Sequence, residues 1–113
     1  MSIKTERIGS NLVKEISYIL ATEVKDNDIK FVTITDAKVT NDLSFAKVYF
    51  TVLDESRKKE TLLALKNASK FIRRELADRV DIRHIPELEF VYDESIAYGK
   101  KIENIIEQIH EEN

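Results

Sequence analysis

The sequence of 113 residues has no Cys and no Trp, one Pro and two Gly. Without Cys there are no disulfides and no thiolate metal sites, which fits a reducing compartment. So little Gly and Pro leaves scant material for a flexible linker, and no low-complexity tract or internal repeat interrupts the chain. A chain of this length hides roughly two-thirds of its unfolded surface on folding, enough for one core without metal or disulfide support. The expectation is a single domain over residues 1–113. No apolar run approaches the roughly 20 residues that a membrane helix needs. The opening Met1-Ser2-Ile3-Lys4-Thr5-Glu6-Arg7 lacks the apolar stretch of a signal peptide. A soluble, cytoplasmic protein with no membrane association is expected.

Chemistry-bearing patterns are equally scarce. His84 and His110 have no companions at zinc-binding spacing, so no metal site is expected. There is no Gly-rich phosphate loop of the Walker or dinucleotide type and no nucleophile elbow. The adjacent acids Asp93-Glu94 lack a spacing that argues for carboxylate catalysis. The sequence therefore predicts no catalytic residues, no cofactor and no enzyme.

Charge is present in quantity and is unevenly placed. The formal net charge is −3, whereas nucleic-acid binders are usually basic. Residues 57–84, however, hold nine Lys and Arg against four Asp and Glu, a surplus of +5. Residues 85–113 hold two against eight, a deficit of −6, and residues 1–56 hold seven against nine. Local potential, not the total, decides whether a face attracts phosphate.

Periodicity gives the elements. Ile8, Leu12, Ile16, Ile19 and Leu20 recur at helical spacing and predict an amphipathic helix over residues 4–25, stopped by Asp26-Asn27-Asp28. Residues 31–39 are rich in β-branched side chains, and residues 43–53 alternate, with Ala46, Val48, Phe50 and Val52 opposite Phe45, Lys47, Tyr49 and Thr51. The short polar break between them predicts an antiparallel hairpin with Lys38 near Lys47. Helical period returns over residues 57–80, as one long helix or two joined near Ala68-Ser69-Lys70. Pro86 ends it, residues 87–93 alternate as a third strand, and Ile96, Ile102, Ile105, Ile106 and Ile109 suggest a C-terminal helix weakened by Gly99. Three strands with helices on one face make a two-layer α+β domain, whose first elements follow the order of a type II KH fold.

On the central helix, Lys59, Lys66, Lys70, Arg73 and Arg74 gather on one side, away from Leu62, Leu65, Ser69, Ile72 and Leu76. Such a stripe binds phosphate; a solvated helix face is the ordinary alternative. Phe45 and Tyr49 have a stacking role open to them, although strand aromatics more often serve packing.

Several stretches, in order, resemble the ribosome-binding factor A family. They are Arg7-Ile8 with Glu15-Ile16-Ser17-Tyr18-Ile19-Leu20, and Val32-Thr33-Ile34-Thr35. The hairpin Val39-Thr40-Asn41-Asp42-Leu43-Ser44-Phe45-Ala46-Lys47-Val48-Tyr49 is the most specific. Ala64-Leu65-Lys66-Asn67-Ala68, Phe71-Ile72-Arg73-Arg74-Glu75-Leu76-Ala77, Arg83-His84-Ile85-Pro86-Glu87-Leu88-Glu89-Phe90 and Asp93-Glu94-Ser95 complete the match, with Gly99 and Ile102 beyond.

The resemblance implies a KH-like type II domain, α-β-β-α-α-β, without the usual Gly-x-x-Gly loop, and with residues 95–113 as a peripheral C-terminal helix and frayed end. It further implies a non-catalytic assembly factor that binds the free small (30S) ribosomal subunit. Such a factor assists late 16S rRNA maturation, including the 5′ end, is associated with growth in the cold, and is expected to be a monomer. Under that reading Lys59, Lys66, Lys70, Arg73 and Arg74 become phosphate contacts, extended by Arg79 and Arg83. Two positions depart from the family pattern. Ala68-Ser69-Lys70 stands where an Ala-x-Gly kink is usual, and Asp26-Asn27-Asp28 stands where Asp-Pro-Arg is frequent. A milder bend, and no RNA contact from the second loop, are expected. The competing reading is a protein-interaction module whose sheet or last helix binds another protein.

Overall fold

The computed structural model of the chain describes residues 3–95. Helix α1 spans Ile3–Thr22. Its residues Ile8, Leu12, Ile16, Ile19 and Leu20 fall three or four apart, share one face, and are all buried. The Glu23 amide still donates to the Ile19 carbonyl at 2.8 Å. Beyond it the Asp26 carboxylate accepts from the Asp28 amide at 2.9 Å and opens a single 3-10 turn, Asn27–Ile29. That local bond competes with continued helix, which is why α1 stops short of residue 25.

Strands β1 (Val32–Val39) and β2 (Phe45–Val52) pair antiparallel, and Lys38 lies directly opposite Lys47, as their spacing suggests. The hairpin turn is closed by the Leu43 amide donating to the Thr40 carbonyl at 2.9 Å, with Leu43 in a left-handed conformation (φ 62°). A side chain there costs about 1–2 kcal/mol. The partly buried Leu43 packs on the core in compensation. Beside it, Asp42 Oδ1 accepts from the Ser44 hydroxyl (2.7 Å), the Thr40 hydroxyl (2.8 Å) and the Ser44 amide (3.0 Å). Donors aimed at the ionised carboxylate, the Ser44 hydroxyl foremost, lower the Asp42 pKa to about 2. A bulge between Ile34 and Asp36 re-aims Thr35. Its hydroxyl donates to Asp93 Oδ2 at 2.6 Å, tying β1 to the end of the third strand.

After β2 a 3-10 turn at Glu55–Arg57 leads into helix α2 (Lys58–Arg79), and β3 (Glu87–Tyr92) follows. β3 runs parallel to β2, and the sheet order is β1-β2-β3. Parallel neighbours need a crossover, which α2 supplies. The fold is a mixed α+β arrangement of a three-stranded sheet and two helices. One expectation is corrected: α2 passes unbroken through Ala68-Ser69-Lys70, so one continuous helix stands in place of an α-α pair. Lys70 is a good helix former where a Gly would loosen the backbone. Leu65, Ile72 and Leu76 also stay in phase on either side of it, all fully buried. Of the C-terminal helix suggested for residues 95–113, residues 96–113 lie outside the described residues.

Both helices cover the same face of the sheet. Ala46, Val48, Phe50 and Phe90 join Leu12, Ile16, Leu65 and Ile72 in one buried cluster. Gly9 permits the close approach of α1 to β1, since a Cβ there would overlap the Ala37 carbonyl oxygen. The opposite face of the sheet is open. It carries Asp36, Lys38, Phe45, Lys47, Glu87 and Glu89 exposed, with Tyr49 and Val91 half-buried. Phe45, at 55% exposure, is therefore not a packing residue.

Candidate nucleic-acid interface

α2 is amphipathic because its apolar residues return every three or four positions. Thr61, Ala64, Leu65, Ile72 and Leu76 are buried against α1 and the sheet, Leu62 and Ala68 pack partly against that core, and the opposite side of the helix faces water. With about 100° per residue, Lys59, Lys66, Lys70 and Arg74 fall within an arc of about 80°. They extend over about 22 Å of helix length at 1.5 Å per residue. All four are exposed, and among the described residues none of them makes an ion pair or a side-chain hydrogen bond. Cations held unpaired in a row on a rigid helix can engage successive anionic groups without first breaking an internal bond. Leu63 lies within the same arc and is 61% exposed.

The other three basic residues are placed differently. Arg73 lies at the edge of the stripe and is half-buried. Its Nε donates to the Pro86 carbonyl at 3.1 Å and a terminal nitrogen donates to the Ile85 carbonyl at 3.0 Å. It thus fastens α2 to the loop before β3. Arg79 points to the other side of α2, toward α1. Its guanidinium stacks over the Tyr18 ring, 4.7 Å from the centroid, and faces Glu15 (3.9 Å), Glu23 (3.7 Å) and Glu75 (4.0 Å). Three carboxylates and a ring offset its charge, leaving little for an external phosphate. Arg83 is exposed in the loop between α2 and β3, off the helical stripe. The structure therefore brings together Lys59, Lys66, Lys70 and Arg74, with Arg73 beside them, and separates Arg79 from them.

Arg79 follows Ile72 by seven residues, so heptad spacing already puts it on the buried side. The role of Arg73 had no such signal, because its acceptors are backbone carbonyls twelve and thirteen residues away. The opening of α2 holds a further contact that spacing did not suggest. Lys58 Nζ bonds Glu94 at 2.9 Å and sits 4.5 Å from the centre of the Tyr92 ring, joining the helix start to the end of β3. Among the described residues no three His, Asp or Glu side chains converge as a metal site, and no helix is long and apolar enough to cross a membrane.

Comparison with known proteins bears on the same residues. The sequence model of the family described as ribosome-binding factor A matches residues 4–106, which include all of α2 and the whole sheet. The chain belongs to the ribosome-binding factor A family. Ribosome-binding factor A of Macrococcus caseolyticus is 47% identical over 111 residues, covering 97% of each chain. Among solved structures, the crystal structure of ribosome-binding factor A from Thermus thermophilus superposes with a TM-score of 0.70. That match covers 78% of this chain and 93% of that one at 24% identity, and shows the shared fold. Thermus thermophilus coordinates of the same factor, fitted into a cryo-electron microscopy map of a 30S complex, match with a TM-score of 0.62 at 24% identity. They cover 84% of this chain and 97% of that one.

Proposed function

We propose that this protein is a ribosome assembly factor that binds the free 30S subunit through the exposed face of α2 and assists late 16S rRNA maturation, including the 5′ end. The observation that carries the reading is the row of unpaired cations Lys59, Lys66, Lys70 and Arg74 on a rigid helix, in a chain of the ribosome-binding factor A family. The Thermus relative fitted into a 30S complex supports the partner. Contacts of this kind engage phosphates and position the domain; they do not read bases. The protein acts without catalysis, as a cytoplasmic monomer. It stabilises one arrangement of immature rRNA, which requires tighter binding to the immature than to the mature subunit. A cold-growth role follows if that arrangement is the one that low temperature makes slow to resolve. Arg73 serves here chiefly by holding α2 against the β3 loop.

The test is a sucrose-gradient profile of cold-grown lysate. The protein is expected to sediment with free small subunits carrying unprocessed 16S rRNA, and Lys66→Glu with Lys70→Glu is expected to move it to the top. A folded double variant that still co-sediments would remove the stripe from the interface. A second reading, a protein-interaction module, is favoured by the open sheet face, where exposed Phe45 stands beside half-buried Tyr49. Under that reading Phe45→Ala, not charge reversal on α2, abolishes association.

A further inference from the structure

Among the described residues, Leu43 (φ 62°) and Phe31 (φ 60°) hold a left-handed backbone without being Gly. Leu43 offsets the steric cost by packing on the core. Phe31, between the 3-10 turn and β1, is 73% exposed and gains nothing comparable. A Gly would turn the chain there without steric cost, so the turn alone does not account for a phenyl ring. A side chain kept in this conformation and left in water points to a ligand contact.

The surroundings of the ring indicate what that ligand is. Asn27, Lys30 and Phe31 form a shared rim between two hollows. The larger, about 680 Å³, is lined by Leu20, Val24, Ile29 and Val32, and its size falls in the range of small-ligand sites, about 300–1,000 Å³. Lys25 and Lys30 border it, both exposed. Among the described residues neither makes an ion pair or a side-chain hydrogen bond, and the Asn27 side chain makes no hydrogen bond. The acid at this hollow, Asp26, is engaged by the Asp28 amide at 2.9 Å. The smaller hollow, about 330 Å³, carries Asp54 and the Asp28–Arg57 ion pair, so the larger one is the better place for an anion. An exposed ring, a free amide and two free cations match the three parts of a nucleotide: base face, base edge and phosphate. A protein partner fits less well. Phe31 and Leu53 are the exposed large apolar groups at these hollows and stand among charged residues, whereas the cores of protein interfaces are depleted of charge.

We propose that the larger hollow receives one unpaired base of single-stranded RNA, stacked on Phe31, with its edge on Asn27 and the flanking phosphates on Lys25 and Lys30. The proposal rests on the RNA reading given above but uses none of the α2 cations. Arg57 lines the smaller hollow and immediately precedes α2, so the base site lies at the end of the helix where the stripe begins with Lys59. Paired RNA hides its base faces in the stack and does not enter; the site therefore selects rRNA that is still unpaired. The loop Asp26-Asn27-Asp28, for which the sequence predicts no RNA contact, gains one through Asn27.

The test titrates hexaadenylate into the full-length protein carrying isotope-labelled Phe rings and backbone amides. The Phe31 ring signal is expected to move upfield, with amide shifts over residues 25–32. A blunt G·C duplex and an abasic ribose-phosphate hexamer are expected to leave the ring signal in place. Phe31→Leu, a side chain this protein already holds in the same conformation at Leu43, is expected to bind hexaadenylate about tenfold more weakly. Equal affinity, or an abasic hexamer that moves the ring as far, overturns the stack. Shifts confined to residues 59–74 overturn the site and leave the RNA reading of α2 intact. Shifts in neither region also overturn the site, and the 30S affinity of Lys66→Glu with Lys70→Glu then decides the α2 reading separately. If the ring stays still with RNA while Phe31→Leu weakens 30S binding, the hollow holds a protein of the subunit and the proposal is wrong.

Discussion

Gly9 and Asp42 show how far single residues fix this structure. Gly9 lies where α1 crosses the backbone of β1, and any Cβ would displace the Ala37 carbonyl. Backbone cannot swing aside as a side chain can, so Gly9→Ala is expected to cost about 1–3 kcal/mol, read as a lower denaturation midpoint. An unchanged midpoint would mean that the helix can shift. Asp42 shapes the hairpin through its charge. Its folded pKa, about 2, lies below the ordinary 3.8. Its stabilising share is therefore complete above about pH 4 and is lost as pH falls toward about 2. Asp42→Ala should thus melt below the parent protein at about pH 7, and the gap should narrow between about pH 4 and pH 2. A gap that persists unchanged at the acid end would show that ionisation is not what the hairpin uses.

At the scale of elements, the sequence shows clearly where apolar residues repeat and less clearly where single contacts decide. Both long helices and all three strands follow from spacing, because Ile8 to Leu20 and Ala46 to Phe50 leave only one face to bury. The ends do not follow from it: α1 stops at Thr22 because Asp26 bonds the Asp28 amide, a local choice that periodicity does not encode. Neither does the continuity of α2, since a bend and a straight helix place Leu65 and Ile72 on the same side. Lys70 decides it. Lys70→Gly is accordingly expected to lower stability by about 1 kcal/mol in thermal melts without creating a tighter fold. A gain in stability would mean that the helix is under strain at that point. The site was legible in the same partial way. The exposed Lys59, Lys66, Lys70 and Arg74 could be placed from helical angle alone. Arg79 could be set apart by its heptad spacing from Ile72, but Arg73 could not, because its partners are backbone carbonyls twelve and thirteen residues away.

Across the whole molecule the charge is divided by sign. The excess of cations lies on residues 57–84 and the excess of acids follows it in the chain, so a net charge of −3 coexists with a face suited to phosphate. The fold converts that sequence order into geometry, since the βαβ crossover carries the basic helix outward on the layer away from the open sheet face. The central claim, that this face of α2 holds the small subunit, is tested most directly by measuring 30S affinity across salt concentration for the parent chain and for Lys59→Ala, Lys66→Ala, Lys70→Ala. The account predicts weaker binding and a log–log salt slope shallower by about 2–3, one for each released phosphate contact. An unchanged affinity and slope in a folded triple variant would contradict it.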